Sequence, residues 1–588
     1  MPHASSPSIK VDYDEKRGRF LIECQFHMNH HIRGMPNRRW DAKNRIWSAP
    51  GIRANAVYLL EHVAKIPNLT IQNSPAALKA MAELALARPT HKPSTFPVWY
   101  GFKRPPRPKQ REALDKTYGL HAVAFFMDMR TGKTKVEIDW NCAARIEDKI
   151  RAVILICPLS IRKNWVREIG KDATIPIDYH LLDTKDKGKA FRRWLHTPHD
   201  FKWLIVGVES LAAGSAIDYV KEFASCMPKV LCTVDESQNI KTHSATRSQK
   251  IVEVGRMCDW RHILTGTPLT KNPMDLFMQF EFLDPNIIGL GDYYSFRNRY
   301  AVMGGFDNKQ IIGYSNLEEL IELVAPYTFQ VRQNEVIDAS KTYVVREVQM
   351  TDAQKAVYQD LRKYSKIEGE GGNLQVQNVL EKMLRLQEIV GGHRSIEYTP
   401  EQIEEHIRTW GPAKKLARTY RQPIPGRNPK IEELLACAEE YEGSMIVWCA
   451  FIEEIQAVST ALRAKYGDDQ VVEIYGAVDE AQRDINVNQL FQQRKARFCV
   501  GNTSTGGVGL TMDVADTIVY FSNTFNFGHR EQSEERGTAD GKSILIVDIV
   551  VPGTVDMTIM AANQEKKDVS EYVRGEIDRH REAQLFGD

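Results

Sequence analysis

The spacing of apolar and polar positions changes several times along the chain, and the changes divide it. IKVDY (residues 9–13) and RFLIECQF (19–26) alternate like two half-buried strands around the turn-forming DEKRG. Helical spacing follows in ANAVYLLEHVAKI (54–66) and AALKAMAELALA (76–87), so residues 1–95 read as a small α+β domain. The proline-rich, basic stretch RPTHKPSTFPVWYGFKRPPRPKQ (88–110) carries the signature of a linker. From 96 to 290 short apolar runs alternate with helical patterns: AVAFFMD, AVILICP, WLIVGVES, VLCTVDES and RHILTGTP. That is the rhythm of a parallel sheet with crossover helices. Residues 291–430 read as a mostly helical, charged insertion and linker. A second alternating block spans 431–555 (SMIVWCAF, QVVEIYG, ARFCVGNT, TIVYFSN, SILIVDIV), and a polar helical tail spans 556–588. The expected class is α/β, with two parallel-sheet lobes on either side of a cleft.

Bulk composition adds limits. The 588 residues are 43% hydrophobic and 26% charged, enough for several cores. The formal charge of +2, from 78 basic and 76 acidic side chains, makes any nucleic-acid footprint local. Nine cysteines form no C-x-x-C pair, which points to a reducing compartment without disulfides or structural zinc. The N-terminus lacks an apolar signal core, and no apolar run approaches about 18 residues, so no membrane span is expected.

Candidate chemistry begins at FFMDMRTGKTKVEIDW (125–140). A strand followed by Gly132-Lys133-Thr134 and a helix would aim free backbone N–H groups at an anion. Lys133 would add a point charge for the β/γ-phosphates, and Thr134 a hydroxyl for magnesium. The G-x-x-x-x-G-K-[ST] pattern is incomplete, because Met127 stands where its first glycine belongs. Further signals follow in order: Pro108-Lys109-Gln110 before a helix, ICPLSIRKNWVREI (156–169), VDESQNIKTHSATRS (234–248), ILTGTPLTKNPMDLF (263–277), TSTGGVGLTMDVADTIVYF (503–521) and NFGHREQSEERG (526–537).

This succession, across residues 105–555, resembles helicase superfamily two, and within it the Swi/Snf-like double-stranded DNA translocases. The resemblance implies two RecA-like lobes, ATP and Mg2+ as cofactors, and DNA-dependent ATP hydrolysis. It implies that Gln110 reads adenine, while Arg130, Thr131, Gly132, Lys133 and Thr134 surround the phosphates. Asp235 would hold magnesium together with Thr134, and Glu236 would polarise the attacking water, a division that hydrolysis requires. Thr265, Gly266 and Thr267 would couple nucleotide state to DNA grip. Ser160, Arg162 and Lys163 in the first lobe, and Thr503, Ser504 and Thr505 in the second, would contact the DNA backbone, holding register without reading sequence. Gly506, Gly507 and Gly509 would allow close approach, Gly509 beside the nucleotide. Lys133, Glu236 and Arg536 are the expected catalytic residues.

The chain departs from the family pattern at three places. Arg130 stands where relatives carry glycine, and Gln238 replaces the histidine of D-E-A-H. In the last motif, Q-x-x-x-R-x-x-R, Gln532 and Arg536 are present but the second arginine is Ala539. An arginine finger can contribute about 10³–10⁵ in rate. Either Arg536 suffices, or Arg530 substitutes, or the chain hydrolyses ATP poorly.

RGMPNRRWDAKNRIWSAP (33–50) interleaves Arg38 and Arg39 with Trp40 and Trp47, cations for phosphates and flat faces for unpaired bases. It also resembles the HARP-type substrate-recognition domain of annealing helicases and phage branch-migration helicases. The competing reading buries both tryptophans in a small core. The expectation is a monomeric motor acting on duplex, forked or branched DNA, reannealing strands or migrating junctions. It would work in bacterial or phage-infected cytoplasm, with single-strand-binding or replication proteins as partners and no membrane. Two alternatives stay open: a motor stripping proteins from duplex DNA, and a weakly hydrolysing ATP-dependent clamp.

Overall fold

The N-terminal alternation becomes a five-stranded sheet. β1 (Ser8–Asp14) and β2 (Arg19–Cys24) pair antiparallel, and β3 (Arg39–Asp41), β4 (Ile46–Pro50) and β5 (Thr70–Asn73) complete the order β3-β4-β2-β1-β5. Ile9, Val11, Phe20 and Ile22 are buried, whereas Lys10 between the first pair and Glu23 after the second are exposed. Helices α1 (Arg53–Tyr58) and α2 (Pro75–Leu86) close the core, adding Ala56, Ala77, Ala80 and Met81. This computed structural model describes residues 8–586 except 16–17, 33–34, 36–37, 68, 87–93, 184–187, 213, 270–271, 306–309, 337, 371–375, 398–403, 405–407, 410–418 and 504–511.

The next sheet has seven parallel strands: β6 (Ala122–Met127), β7 (Ala152–Cys157), β8 (Asp178–Leu181), β9 (Lys202–Gly207), β10 (Val230–Asp235), β11 (Trp260–Thr265) and β14 (Thr328–Val331). Their order is β14-β6-β11-β10-β7-β9-β8. Every residue of β6, β7, β9 and β10 is buried, as expected of strands covered on both faces. The register aligns Thr265 with Phe126, and Asp235 with Leu264, so the C-terminal ends of β6, β11 and β10 lie side by side. Ligands of open α/β sheets bind at that end.

The second large sheet has six parallel strands: β15 (Ala339–Glu347), β18 (Ser444–Trp448), β19 (Val471–Ile474), β20 (Phe498–Gly501), β21 (Ala515–Tyr520) and β22 (Lys542–Val550), in the order β15-β22-β21-β18-β20-β19. The stretch 291–430 therefore contributes one strand to each sheet, β14 to the first and β15 to the second. It also forms two hairpins, β12 (Ala301–Gly304) with β13 (Gln310–Tyr314) and β16 (His393–Glu397) with β17 (Thr419–Pro423), besides the helices Asp352–Glu370 and Val376–Val390. The chain divides into two units, Met1–Gln333 with Val569–Asp588, and Asn334–Asp568.

Candidate nucleotide and DNA sites

The loop between β6 and α4 (Lys133–Ile146) is held by side chains on every side. Gly132 has φ +88°, and a Cβ there would fall 1.8 Å from the Gln110 amide nitrogen, so a side chain would be strained and would push Gln110 aside. Gln110 is itself buried at the start of α3 (Pro108–Thr117). Its Nε2 donates to the carbonyls of Thr131 (3.3 Å) and Gly132 (3.4 Å), while its Oε1 accepts the Arg107 N–H at 2.8 Å. Gln110 thus fastens α3 to the loop backbone. Thr131 is fully buried and donates its hydroxyl to the Asp128 carbonyl at 2.7 Å. The Asp128 carboxylate accepts the Gln333 N–H at 2.9 Å and pairs with Arg574 of α7 (Val555–Phe586). Lys133 and Thr134 are left partly exposed at the helix start. Arg130 keeps φ +66°, a left-handed conformation that glycine adopts freely and that costs a side-chain-bearing residue about 1–2 kcal/mol.

Asp235 and Glu236 end β10 almost fully buried. Burial, then the neighbouring Glu236 charge, push the Asp235 carboxyl up to about 6, against the opposing pull of Lys133 and the Trp165 N–H. Glu236 has φ +52°, a strained conformation of the kind that persists at active sites. A line of hydrogen bonds leaves its carboxylate. Gln238 Nε2 donates to Glu236 Oε2 at 2.8 Å, Thr265 Oγ1 donates to Gln238 Oε1 at 2.6 Å, and the Thr267 N–H donates to Thr265 Oγ1 at 3.0 Å. Gln238 joins this line through one amide N–H and its carbonyl oxygen. Gly266 completes the closeness: a Cβ there would sit 3.2 Å from the Met129 nitrogen.

The donors suit a hard dication shared with phosphates. Thr134 offers a hydroxyl, and Asp235 a buried carboxylate whose negative charge burial disfavours. Among the described residues, no group of three or more His, Cys, Asp or Glu could hold a metal ion.

In the second unit, α6 (Phe527–Glu535) carries the last motif. Arg530 is buried and fully committed: Nε donates to Glu534 at 2.7 Å, Nη1 to Asp548 at 2.6 Å, Nη2 to Asp548 at 2.9 Å, and the guanidinium lies 3.4 Å from the Tyr520 ring centre. The option that Arg530 substitutes for a missing finger is therefore corrected, because its charge already belongs to a structural network. Gln532 and Arg536 are buried at the same helix, and the Arg536 carbonyl accepts the Met512 N–H at 3.2 Å. Ala539 is half-buried in the following turn. Thr503 is buried, while Ser504, Thr505, Gly506, Gly507 and Gly509 lie outside the described residues.

Of the first-lobe DNA candidates, Ser160 and Lys163 are exposed, and Arg162 spends one N–H on the Leu182 carbonyl at 3.1 Å. In the N-terminal sheet, Arg38, Arg39 and Trp40 are exposed together. Trp40 faces Trp47 across β3 and β4 with ring centres 5.1 Å apart. Trp47 packs against the domain core, and its indole N–H donates to Asn29 at 2.7 Å. The buried reading thus holds in part for Trp47 and fails for Trp40, which is 43% exposed.

Two parallel sheets, with a glycine-lysine-threonine loop after β6 and a buried acidic pair ending β10 at the same end of the first sheet, define the class of two-lobed nucleotide-driven motors. The chain matches the SNF2-related domain over residues 56–394, more than half its length, and the helicase conserved C-terminal domain over 427–538. It belongs to the SNF2-related family. It is 20% identical over 543 residues to TATA-binding protein-associated factor MOT1 of Saccharomyces cerevisiae, covering 80% of this chain and 27% of that protein. It is 23% identical over 430 residues to the DNA annealing helicase and endonuclease ZRANB3 of Bos taurus, covering 71% of this chain and 36% of that one. The chain thus spans about a third of the length of these curated relatives. The solved SWI2/SNF2 ATPase core of Sulfolobus solfataricus in complex with dsDNA is 18% identical, covers 83% of this chain and 97% of its own, and has a TM-score of 0.36.

Proposed function

We propose that this protein is an ATP-dependent DNA translocase that remodels forked or branched DNA, by reannealing strands or migrating junctions, in replication, recombination or repair. The observation carrying the motor reading is the strained, buried Glu236, linked through Gln238 to Thr265 and Thr267. Lys133 neutralises phosphate charge, and Glu236 orients the attacking water and takes its proton. Thr134 and Asp235 would hold magnesium, which when bound would supply further charge neutralisation. From the resemblance of the last motif, Arg536 is the arginine assigned to charge that develops on the γ-phosphate. The protein acts as a cytoplasmic monomer in a bacterial or phage-infected cell.

The choice of branched DNA rests on the N-terminal sheet, which we read as a HARP-like domain. An exposed tryptophan preceded by two exposed arginines offers stacking and phosphate contacts together. Trp40→Ala should leave the melting temperature within a few degrees, because the ring is not core. It should weaken binding to forked DNA by about 1–3 kcal/mol, the worth of one stacked base. Fork and four-way binding measured by fluorescence anisotropy decides it, and unchanged affinity would remove the junction reading. A second reading is a motor that strips proteins from duplex DNA; one relative is named as a factor associated with the TATA-binding protein. Equal ATPase stimulation by duplex and forked DNA would favour it.

A further inference from the structure

Trp165 had no role in the motif reading, yet it touches the most consequential carboxylate in the chain. It lies on α5 (Arg162–Asp172), is 1% exposed, and donates its indole N–H to Asp235 Oδ2 at 2.8 Å. The other oxygen, Oδ1, accepts the Glu236 N–H at 2.9 Å. Each carboxylate oxygen therefore has one protein donor, which fixes the plane of the group and leaves further lone pairs for a cation.

The opposite end of α5 is fastened as well. Asp172, fully buried, accepts Lys135 Nζ at 3.4 Å and Arg104 Nε at 2.6 Å, and Lys135 also donates to Asp139 at 2.8 Å. Lys135 and Asp139 lie on α4, two and six residues beyond Lys133. One helix is thus tied to the magnesium aspartate near its start and to the phosphate-loop helix at its end. The residues expected to meet a DNA strand, Ser160, Arg162 and Lys163, lie within two turns of Trp165.

We propose that Trp165 is a positioning residue through which a DNA strand docked at the start of α5 sets the orientation of Asp235, and so the DNA stimulation of hydrolysis. This rests on the ATPase reading above. A short helix pinned at both ends moves as one body, so a phosphate seated on Ser160, Arg162 and Lys163 shifts Trp165 with it. The indole N–H then carries that shift to the carboxylate. A tryptophan that only filled space would affect stability and nothing else.

The test replaces Trp165 in the full chain with phenylalanine, and separately with β-(3-benzothienyl)alanine, which keeps the bicyclic shape and puts sulfur in place of N–H. Binding of a fluorescent non-hydrolysable ATP analogue is titrated with magnesium, and ATP turnover is measured with and without duplex DNA. A hydrogen bond to a charged group is worth about a factor of ten or more in affinity. The magnesium midpoint should therefore rise about tenfold in both variants, analogue binding in EDTA should stay the same, and the ratio of DNA-stimulated to basal turnover should fall. If the phenylalanine variant melts early, the benzothienyl variant decides. An unchanged midpoint and an unchanged stimulation ratio in the benzothienyl variant would overturn the proposal while leaving the ATPase reading intact. A wild-type protein lacking magnesium-dependent analogue binding would overturn both.

Discussion

Two buried clusters of charge, one in each large sheet, are built in opposite ways. Arg530 in the second unit has Asp548, Glu534 and Asn523 around its guanidinium and the Tyr520 ring against its face. Burial alone would raise Glu534, but Lys341 and Arg530 outweigh it and hold that carboxyl below its ordinary value. In the first unit, Asp235 stands beside a second acid and is pushed up to about 6. The backbone at Glu236 is strained as well, while none of the residues around Arg530 on α6 has a positive φ. An arginine network whose charges are answered within the protein is structural. In the acidic pair, burial and the Glu236 charge outweigh the pull of Lys133 on Asp235, a perturbation of the kind that gathers at functional sites.

The largest effect that could break this contrast lies at Glu236. Glu236→Gln should bind ATP and magnesium through Asp235, yet stall before hydrolysis, with turnover down by about 10²–10⁴. Nucleotide binding by calorimetry beside single-turnover hydrolysis checks it. Loss of binding would mean that the two carboxylates have exchanged roles.

Stability should respond in opposite directions at the two clusters. Arg530→Met removes one partner of a buried ionic network and should cost about 3–5 kcal/mol, visible as early melting of the second unit. Asp235→Asn removes a carboxylate whose folded pKa lies above its unfolded value. Its charged form opposes folding above about pH 6, and that cost fades as pH falls towards the unfolded pKa. The asparagine variant should therefore melt higher than wild type at pH 8 in EDTA, with the gain shrinking by pH 5. Melting curves across that pH range would show the opposite trend if Asp235 were a stabilising residue.

The smallest effect concerns Ala539. Ala539 is half-buried just beyond α6, and with Arg530 engaged in its own network two alternatives remain, that Arg536 suffices and that the chain hydrolyses ATP poorly. Ala539→Arg should raise DNA-stimulated ATPase several-fold, because a preorganised donor acts most on charge developing in the transition state. An unchanged rate would show that Arg536 already completes the site.

How much of this was legible in the sequence depended on how local the signal was. β6, β7, β9 and β10 are buried on both faces, and their apolar runs announced them. β8 (DYHL) and β14 (TFQV) are four-residue edge strands with polar positions, too short to carry a period. The hairpins within 291–430 were hidden among charged helical segments for the same reason. The order of the motifs exposed the residues of the phosphate loop and the acidic pair. Their supports were not legible: Trp165 lies 70 positions from Asp235, and Arg574 lies 446 from Asp128. No spacing rule links such pairs, because only tertiary packing brings them together. Exposure, which separated Trp40 from Trp47, depends on which face of β3 the core covers, and three residues of strand do not declare it.

Steady-state phosphate release by the full chain, with magnesium and without DNA, with duplex, and with forked and four-way DNA, tests the central claim most directly. The account predicts turnover that rises on adding duplex, rises further with forked or four-way DNA, and disappears in Lys133→Ala. Turnover indifferent to DNA, or a Lys133→Ala variant retaining more than about a tenth of the wild-type rate, would contradict it.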